Sequence, residues 1–548
     1  MSDFDFKKEF PQAFPVLDAK QIALVAEFAK CKTYHDGDFL FRAGETDFMF
    51  HVIKSGAVEI VDRSSGEPRR MLVHEPGEFT GDLSNLTGRT SNADAIALGE
   101  TQVYEVCKPD LRHIISERPG LGDLILQTFI ARVRALTENE DFTGLRVVGT
   151  KFSPDTFRVR EFLSKNHALY TYFDYETDAE IAWLLKSFDV KETDLPVISY
   201  GQDWMLRNPS NEELAERIGI KRELAENILF DLVIVGGGPA GLAAAVYGAS
   251  EGLKTVVLEQ MATGGQAGTS SKIENYLGFP TGLSGAELAG RATVQAEKFG
   301  ANLSIPSEVV KLDFNDNQAV LSMANGKQFR AKAMLIATGA DYRKLDVPKR
   351  ERFDGAGVYY AATPMEAQIC GGEQVVVVGG GNSAGQAAIF LSQNARKVFL
   401  LIRGADLGKN MSDYLVQRIY QTKNIQLLTE TEITAMFGDG HLEAVEMKNN
   451  QTGESKRVNV AGVFSFIGAF PRTAWLPPEI ETDAKGFIKT GTRIANWSRS
   501  RPPFYLETSC AGVFAAGDVR CDSVKRVASA VGEGSMAVQF VHEFLKEV

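Results

Sequence analysis

Two segments of this 548-residue chain carry glycines spaced for phosphate chemistry. The first reads FDLVIVGGGPAGLAAAVYGASEGLKTVVLEQ and places Gly236, Gly238 and Gly241 in a G-x-G-x-x-G pattern between an apolar strand and a helix. The first glycine permits a tight turn, the second lets backbone approach a pyrophosphate, and the third lets helix and strand pack closely. The free N–H groups of the helix then face the phosphates. Glu259 ends the next strand, where an acid accepts hydrogen bonds from a ribose. The second segment, EQVVVVGGGNSAGQAAIFLSQNARKVFLLIRG, carries Gly379, Gly381 and Ala384 as G-x-G-x-x-A. Its following strand ends in Arg403 and not in an acid, which suits a 2′-phosphate and favours NADPH over NADH. Two such units predict two dinucleotides, a nicotinamide that gives hydride and a flavin that accepts it.

The elements that must position these turns follow from the pattern of the chain. From residue 230 apolar β-branched strands alternate with helices, the signature of parallel sheets. Before that, Gly37, Gly44, Gly56, Gly66 and Gly77 punctuate short strands, as in an antiparallel barrel, and a helical stretch follows. Between about 146 and 222 lies a small α/β unit. Hydrophobic residues make up 44% and charged residues 24%, which excludes disorder and a collagen-like fibre. The net charge of −12 argues against nucleic acid as a partner. The helix-turn-helix-like run NEELAERIGIKRELAENIL at 211–229 is acidic and abuts the first glycine unit, which argues against DNA binding. Five scattered cysteines make neither a disulfide scaffold nor a zinc site, so no metal is expected. The N-terminus has no secretory signal, and the uncharged run 232–249 reads as strand–turn–helix, not as a membrane span. A cytoplasmic location is expected.

From about 230 to 548 the chain resembles the low-molecular-weight thioredoxin reductase family. GGQ at 264–266, IENYLGFP at 273–280, ATGA at 337–340, SFIGAFPRT at 465–473, GVFAAGDVR at 512–520 and KRVASAVGEGSMAVQF at 525–540 carry the likeness. The resemblance implies an FAD domain in two pieces, 230–345 and 470–548, with an NADPH domain at 346–469 inserted between them. It also implies a homodimer and a rotation between domains during turnover. Around the first turn it implies FAD contacts at Gly236, Gly238, Ala240, Gly241, Glu259 and Gln260. Further along, it implies Gln266, Asn275, Ala337 and Gly339, and near the C-terminus Gly517, Asp518, Arg526, Val527 and Ala528. For NADPH it implies Gly379, Gly381, Asn382, Ser383, Ala384 and Arg403.

One departure bears on the chemistry. The family's CxxC dithiol falls on GVYYAATPMEAQIC, where Ala361 and Pro364 occupy the two cysteine positions. Thiol–disulfide exchange needs a sulfur, so no catalytic residue is assigned there. Cys370 lies nearby, and Cys510 and Cys521 flank the GVFAAGD strand as an imaginable substitute pair, although small core-filling thiols are the plainer reading. The 146–222 unit looks like a glutaredoxin or thioredoxin fold with Pro196 at its cis-proline position; Ser153-Pro154-Asp155-Thr156 stands where such folds carry CxxC. Residues 1–140 resemble a cyclic-nucleotide-binding domain whose cassette is FTGDLSNLTGRTSNADA. Gly81 and Asp82 sit at its ribose side, Ser91 replaces the phosphate-binding Arg, and Arg89 is an alternative cation for a weak or altered nucleotide ligand.

Three functions follow. The first is an NADPH-dependent FAD oxidoreductase passing electrons directly to an external redox protein or small acceptor. The others are a disulfide reductase with atypical or partner thiols, and a non-enzymatic redox or ligand sensor.

Overall fold

The structure is a computed structural model and describes residues 6–64, 68–87, 89–138, 144–178, 181, 189–200, 204–221, 224, 228–315 and 318–548. Gly66 and part of the helix-turn-helix-like run, 222–223 and 225–227, lie outside them. Strands Lys30–Tyr34, Phe39–Phe41, Phe50–Asp62, Arg69–His74 and Asp94–Val106 form the N-terminal antiparallel sheet. Helices Lys108–Glu117 and Pro119–Glu138 pack on it through Leu111, Ile114, Ile125 and Phe129.

The α/β unit has four strands. Leu145–Gly149 lies parallel to Tyr170–Asp174 and antiparallel to Val197–Tyr200, which pairs with Trp204–Arg207. The Leu195–Pro196 peptide is cis. Helix Pro154–Lys165 starts with Pro in its first turn and with Ser153 Oγ accepting from the Thr156 amide, a standard N-cap. Helix Asn211–Arg217, capped by Ser210, buries Leu214 and Ala215 in the unit's core. The edge strand 204–207 was not anticipated by the sequence pattern.

The remaining chain forms two layers, each built on a parallel sheet; Val309–Asn315 and Gln318–Met323 add an antiparallel edge to the first, and an antiparallel sheet of Thr431–Phe437, Ala444–Asn449 and Ser455–Asn459 accompanies the second. Leu229–Val235 pairs in parallel with Thr255–Leu258 on one side and Gln328–Ile336 on the other. The chain returns at Val513–Ala515 to pair with Gln328–Ile336, so this sheet is completed from the C-terminal piece. The second sheet runs Val358–Tyr359, Gly462–Ser465, Gln374–Val378, Lys397–Leu401, Ile425–Leu428. A two-stranded ribbon, Ala340–Arg343 with Ile467–Pro471, joins the two layers. No helix among the described residues is long and apolar enough to cross a membrane.

The helix Val527–Leu545 lies across the first glycine-turn helix, Pro239–Ser250, at a distance only glycine allows. A Cβ on Gly534 would stand 2.1 Å from Ala240 O. Gly534→Ala is therefore expected to lower unfolding stability by about 1–3 kcal/mol through overpacking. Urea denaturation followed by far-UV circular dichroism checks this.

Candidate functional site

Both glycine turns open into one cavity of about 1650 Å³. Ordinary single-ligand pockets span about 300–1,000 Å³, so this one has room for two dinucleotides. At the first turn, Gly236 takes φ +107°, and a Cβ there would strike Ala337 O at 2.3 Å. Gly238 is the N-cap of helix Pro239–Ser250 with no side-chain cap, which leaves the first-turn amides available to an anion. Glu259 is held at this turn: the Gly237 amide donates to its Oε2 at 2.6 Å and the Met261 amide to its Oε1 at 2.8 Å. Its remaining lone pairs can accept ribose hydroxyls.

Asp518 lies half-buried on the cavity wall, and burial raises its pKa above the ordinary carboxylate value. Among the described residues no donor meets its carboxylate, so a hydroxyl-bearing chain such as the ribityl of a flavin would satisfy it. The uncapped amides, the held acid and this carboxylate together fit FAD.

Most of the residues expected from the sequence line this wall: Gly236, Gly238, Ala240, Glu259, Gln260, Gln266 and Asn275, with Ala337, Gly339, Gly517, Asp518, Arg526 and Val527. Gly241 does not, and its role is packing, since a Cβ there would lie 1.9 Å from Gly236 O. Ala528 is exposed and off the wall; two residues further along the helix, Ala530 lines the cavity in its place. At the second turn Gly381, Asn382 and Ser383 line the cavity, while Gly379 and Ala384 form the turn behind them. Arg403 is exposed at the end of its strand and outside the cavity lining.

The sequence reading missed several residues of this wall. Tyr342 Oη donates to Ser383 Oγ at 3.0 Å, tying the ribbon to the second turn. Arg472 pairs with Asp341 at 2.6 Å and reaches Gln260. Pro154, Phe157, Glu161 and His167 come from the α/β unit. Burial, with a smaller contribution from Arg89, holds His167 down at about 4. Arg472 lies inside the recognised segment 465–473, but no local pattern marks the α/β residues as cavity-facing.

Ala361 and Pro364 face the cavity together with Glu366. Glu366 is buried and caps its own helix through Thr363, and burial raises its pKa. Burial likewise pushes the Cys370 thiol up to about 12 and that of Cys510 up to about 11. Cys107 and Cys521 are also raised by burial, reinforced by the carboxylates of Asp110 and Asp483. Among the described residues no cluster of His, Cys, Asp and Glu could hold a metal.

In the N-terminal domain Gly81, Asp82 and Ser91 line a cavity of only about 80 Å³, walled by Phe6, Phe14, Phe41 and Phe48. Asp82 accepts from the Ser84 amide, and Ser91 donates to Ala93 O. Arg89 does not turn toward this cavity. Its guanidinium donates to Asn166 O in the α/β unit, so it is not placed as the alternative cation. The cation that lines the cavity is Arg132, which the sequence did not single out; it donates to Ala13 O, Phe79 O and Gly81 O.

Residues 230–534 match the family described as pyridine nucleotide-disulphide oxidoreductase, and residues 31–118 match the cyclic nucleotide-binding domain. The chain is 35% identical over 329 residues to thioredoxin reductase of Peptoclostridium litorale, covering 59% of this chain and 99% of the relative. It is 32% identical over 322 residues to a 34.2 kDa protein in the rubredoxin operon of Clostridium pasteurianum, covering 59% and 99%. Among solved structures, Lactococcus lactis thioredoxin reductase in its FR conformation aligns with a TM-score of 0.53 at 29% identity, covering 58% of this chain and 100% of that chain. The T. acidophilum thioredoxin reductase gives 0.52 at 30%, covering 57% and 98%.

The two glycines of the first turn are expected to separate folding from binding. A Cβ on Gly238 would meet only Gly265 Cα, at 3.9 Å. Gly238→Ala should therefore fold as the parent does yet retain FAD poorly, whereas Gly241→Ala should lose stability and FAD together. Flavin absorbance after gel filtration, set beside thermal unfolding, reads both effects.

Proposed function

The chain belongs to the pyridine nucleotide-disulphide oxidoreductase family, and we propose that it passes electrons from FAD directly to an external acceptor, without a protein dithiol. It is an NAD(P)H-dependent FAD oxidoreductase. When bound, FAD accepts hydride from NADPH and gives electrons onward.

The observation that carries the reading is the pair Ala361 and Pro364. These two residues face the shared cavity at the dithiol positions and contain no sulfur. The four thiols with shifted pKa values, Cys107, Cys370, Cys510 and Cys521, are all raised, so the thiolate that exchange requires is disfavoured at each. The α/β unit, read as a thioredoxin-like module, offers Ser153 and Thr156 where a relay would need sulfur.

The chain's own groups do the positioning. The two uncapped helix starts would hold the pyrophosphates, and Glu259 and Asp518 would orient hydroxyls. Arg403, exposed just past its strand end, would be the cation for a 2′-phosphate. A disulfide reductase with atypical or partner thiols is the competing reading.

The test replaces all five cysteines with Ser or Ala, confirms bound FAD, and measures NADPH oxidation with a quinone or ferricyanide. Unchanged turnover is expected. Loss of turnover with FAD retained would assign electron transfer to a cysteine. NADPH should also reduce the flavin faster than NADH at equal concentration. Arg403→Ala should shrink that preference by about 1.5–3 kcal/mol, the value of a hydrogen bond to a charged group, as read from kcat/KM for the two nucleotides.

A further inference from the structure

The α/β unit touches both dinucleotide-binding layers. Toward the second layer, the Phe152 ring stacks on His441 with centroids 4.2 Å apart and planes 8° apart. Phe157 lies 5.3 Å from Tyr359, and both Phe152 and Phe157 pack against that layer's core. Gly355, left-handed at φ +76°, lies beside Pro154 and Phe157, where a Cβ would make ordinary contact at 3.5 Å.

Toward the first layer, Asn166 Nδ2 donates to Met261 O at 3.0 Å, and Asn211 Nδ2 lies 3.6 Å from Met261 Sδ. Met261 and Ile305 belong to the apolar cluster of the α/β unit itself. The N-terminal domain holds the same unit from behind, through Arg89 to Asn166 O, Thr90 to Ile218 O and Tyr200 to Asn92 O. By contrast, the covalent link between the two layers is only the ribbon Ala340–Arg343 with Ile467–Pro471.

We infer that the α/β unit is a clamp that fixes the angle between the two dinucleotide-binding layers, so that both glycine turns stay open to one cavity throughout turnover. The inference rests on the direct-transfer reading. A relay that visits a dithiol needs an alternation of partners at the flavin; transfer within a shared cavity does not. Changing the angle would require breaking either the Phe152–Phe157 face or the Met261–Ile305 face, each of which buries apolar surface. Pro154 and Phe157 of the α/β unit line the same cavity as Ala361 and Pro364.

The test introduces Phe152→Cys with His441→Cys and bridges the pair by oxidation or with a short bis-methanethiosulfonate reagent. Single-cysteine variants and the parent chain serve as controls. The bridge should form in high yield, with or without FAD. The bridged protein should keep NADPH-dependent ferricyanide reduction within about twofold of the unbridged form, since no domain step is blocked. A loss of more than about tenfold, restored by dithiothreitol, would show that turnover needs the layers to part and would overturn the clamp. Failure to bridge while both thiols react with maleimide would overturn it too.

A second variant, Phe152→Asp, should open the contact. It should slow anaerobic flavin reduction by saturating NADPH at unchanged FAD content; an unchanged rate would overturn the inference. If the parent chain itself transfers no electrons to small acceptors, the direct-transfer reading fails, while bridging yield still reports on the clamp.

Discussion

The constraint on which the rest of this structure depends is that backbone amides must meet phosphate with no side chain between them. At the first turn this forces a left-handed Gly236 against Ala337 O, a bare N-cap at Gly238 and a close helix–strand contact at Gly241. The demand then spreads outward. Helix Pro239–Ser250 can sit low on its strand only because its other face is also met without a side chain, by Gly534. The amides left free are those of a helix start, where partial positive charge adds to hydrogen bonding. The same solution recurs at Gly379, Gly381 and Ala384, with Ala384 filling the place that a third glycine takes in the first turn.

Two such turns serve one reaction only if they face each other, and the covalent chain does not ensure that. A two-stranded ribbon is a soft connection. The contacts that set the angle are side-chain ones: Tyr342 on Ser383, Arg418 on Glu274 at 2.8 Å, and the stacked and packed rings of the α/β unit. The ion pair is exposed and contributes little. The apolar contacts involve more surface and are not screened by salt, so the orientation of the second layer rests mainly on them.

What was legible in the sequence was local. The glycine turns, Glu259 and Asp518 are each marked by neighbours within one strand–turn–helix, and the structure brings these to one cavity. The missing sulfurs at 361 and 364 were equally plain. The strand Trp204–Arg207 was not, being four residues long at a sheet edge. Ala528 and Arg89 show a different limit: type and position along the chain identified the segment, but the direction of the residue depended on its packing. In Arg89 the guanidinium was drawn off by Asn166 O, and Arg132, from a distant helix, took the cavity wall. The contact of Phe152 with His441 lay beyond any pattern, because neither residue's neighbours carry information about a partner so far along the chain.

Sequence proximity is also a poor guide to chemistry near Ala361 and Pro364. Cys370 follows Pro364 by six residues and is the nearest thiol in the chain to that loop. Yet it ends the helix Pro364–Ile369 on the inner side, 1% exposed, where Gly462 has to lack a side chain to accommodate its Sγ. Burial that pushes a thiol up to about 12 removes the nucleophile at neutral pH. The acid beside it, Glu366, is spent on capping Thr363 and is itself raised by burial. The helix is packed inward along its buried face, with Met365, Ile369 and Cys370 as members of one apolar core. The packing that seats this helix in the core therefore also withholds its thiol from exchange.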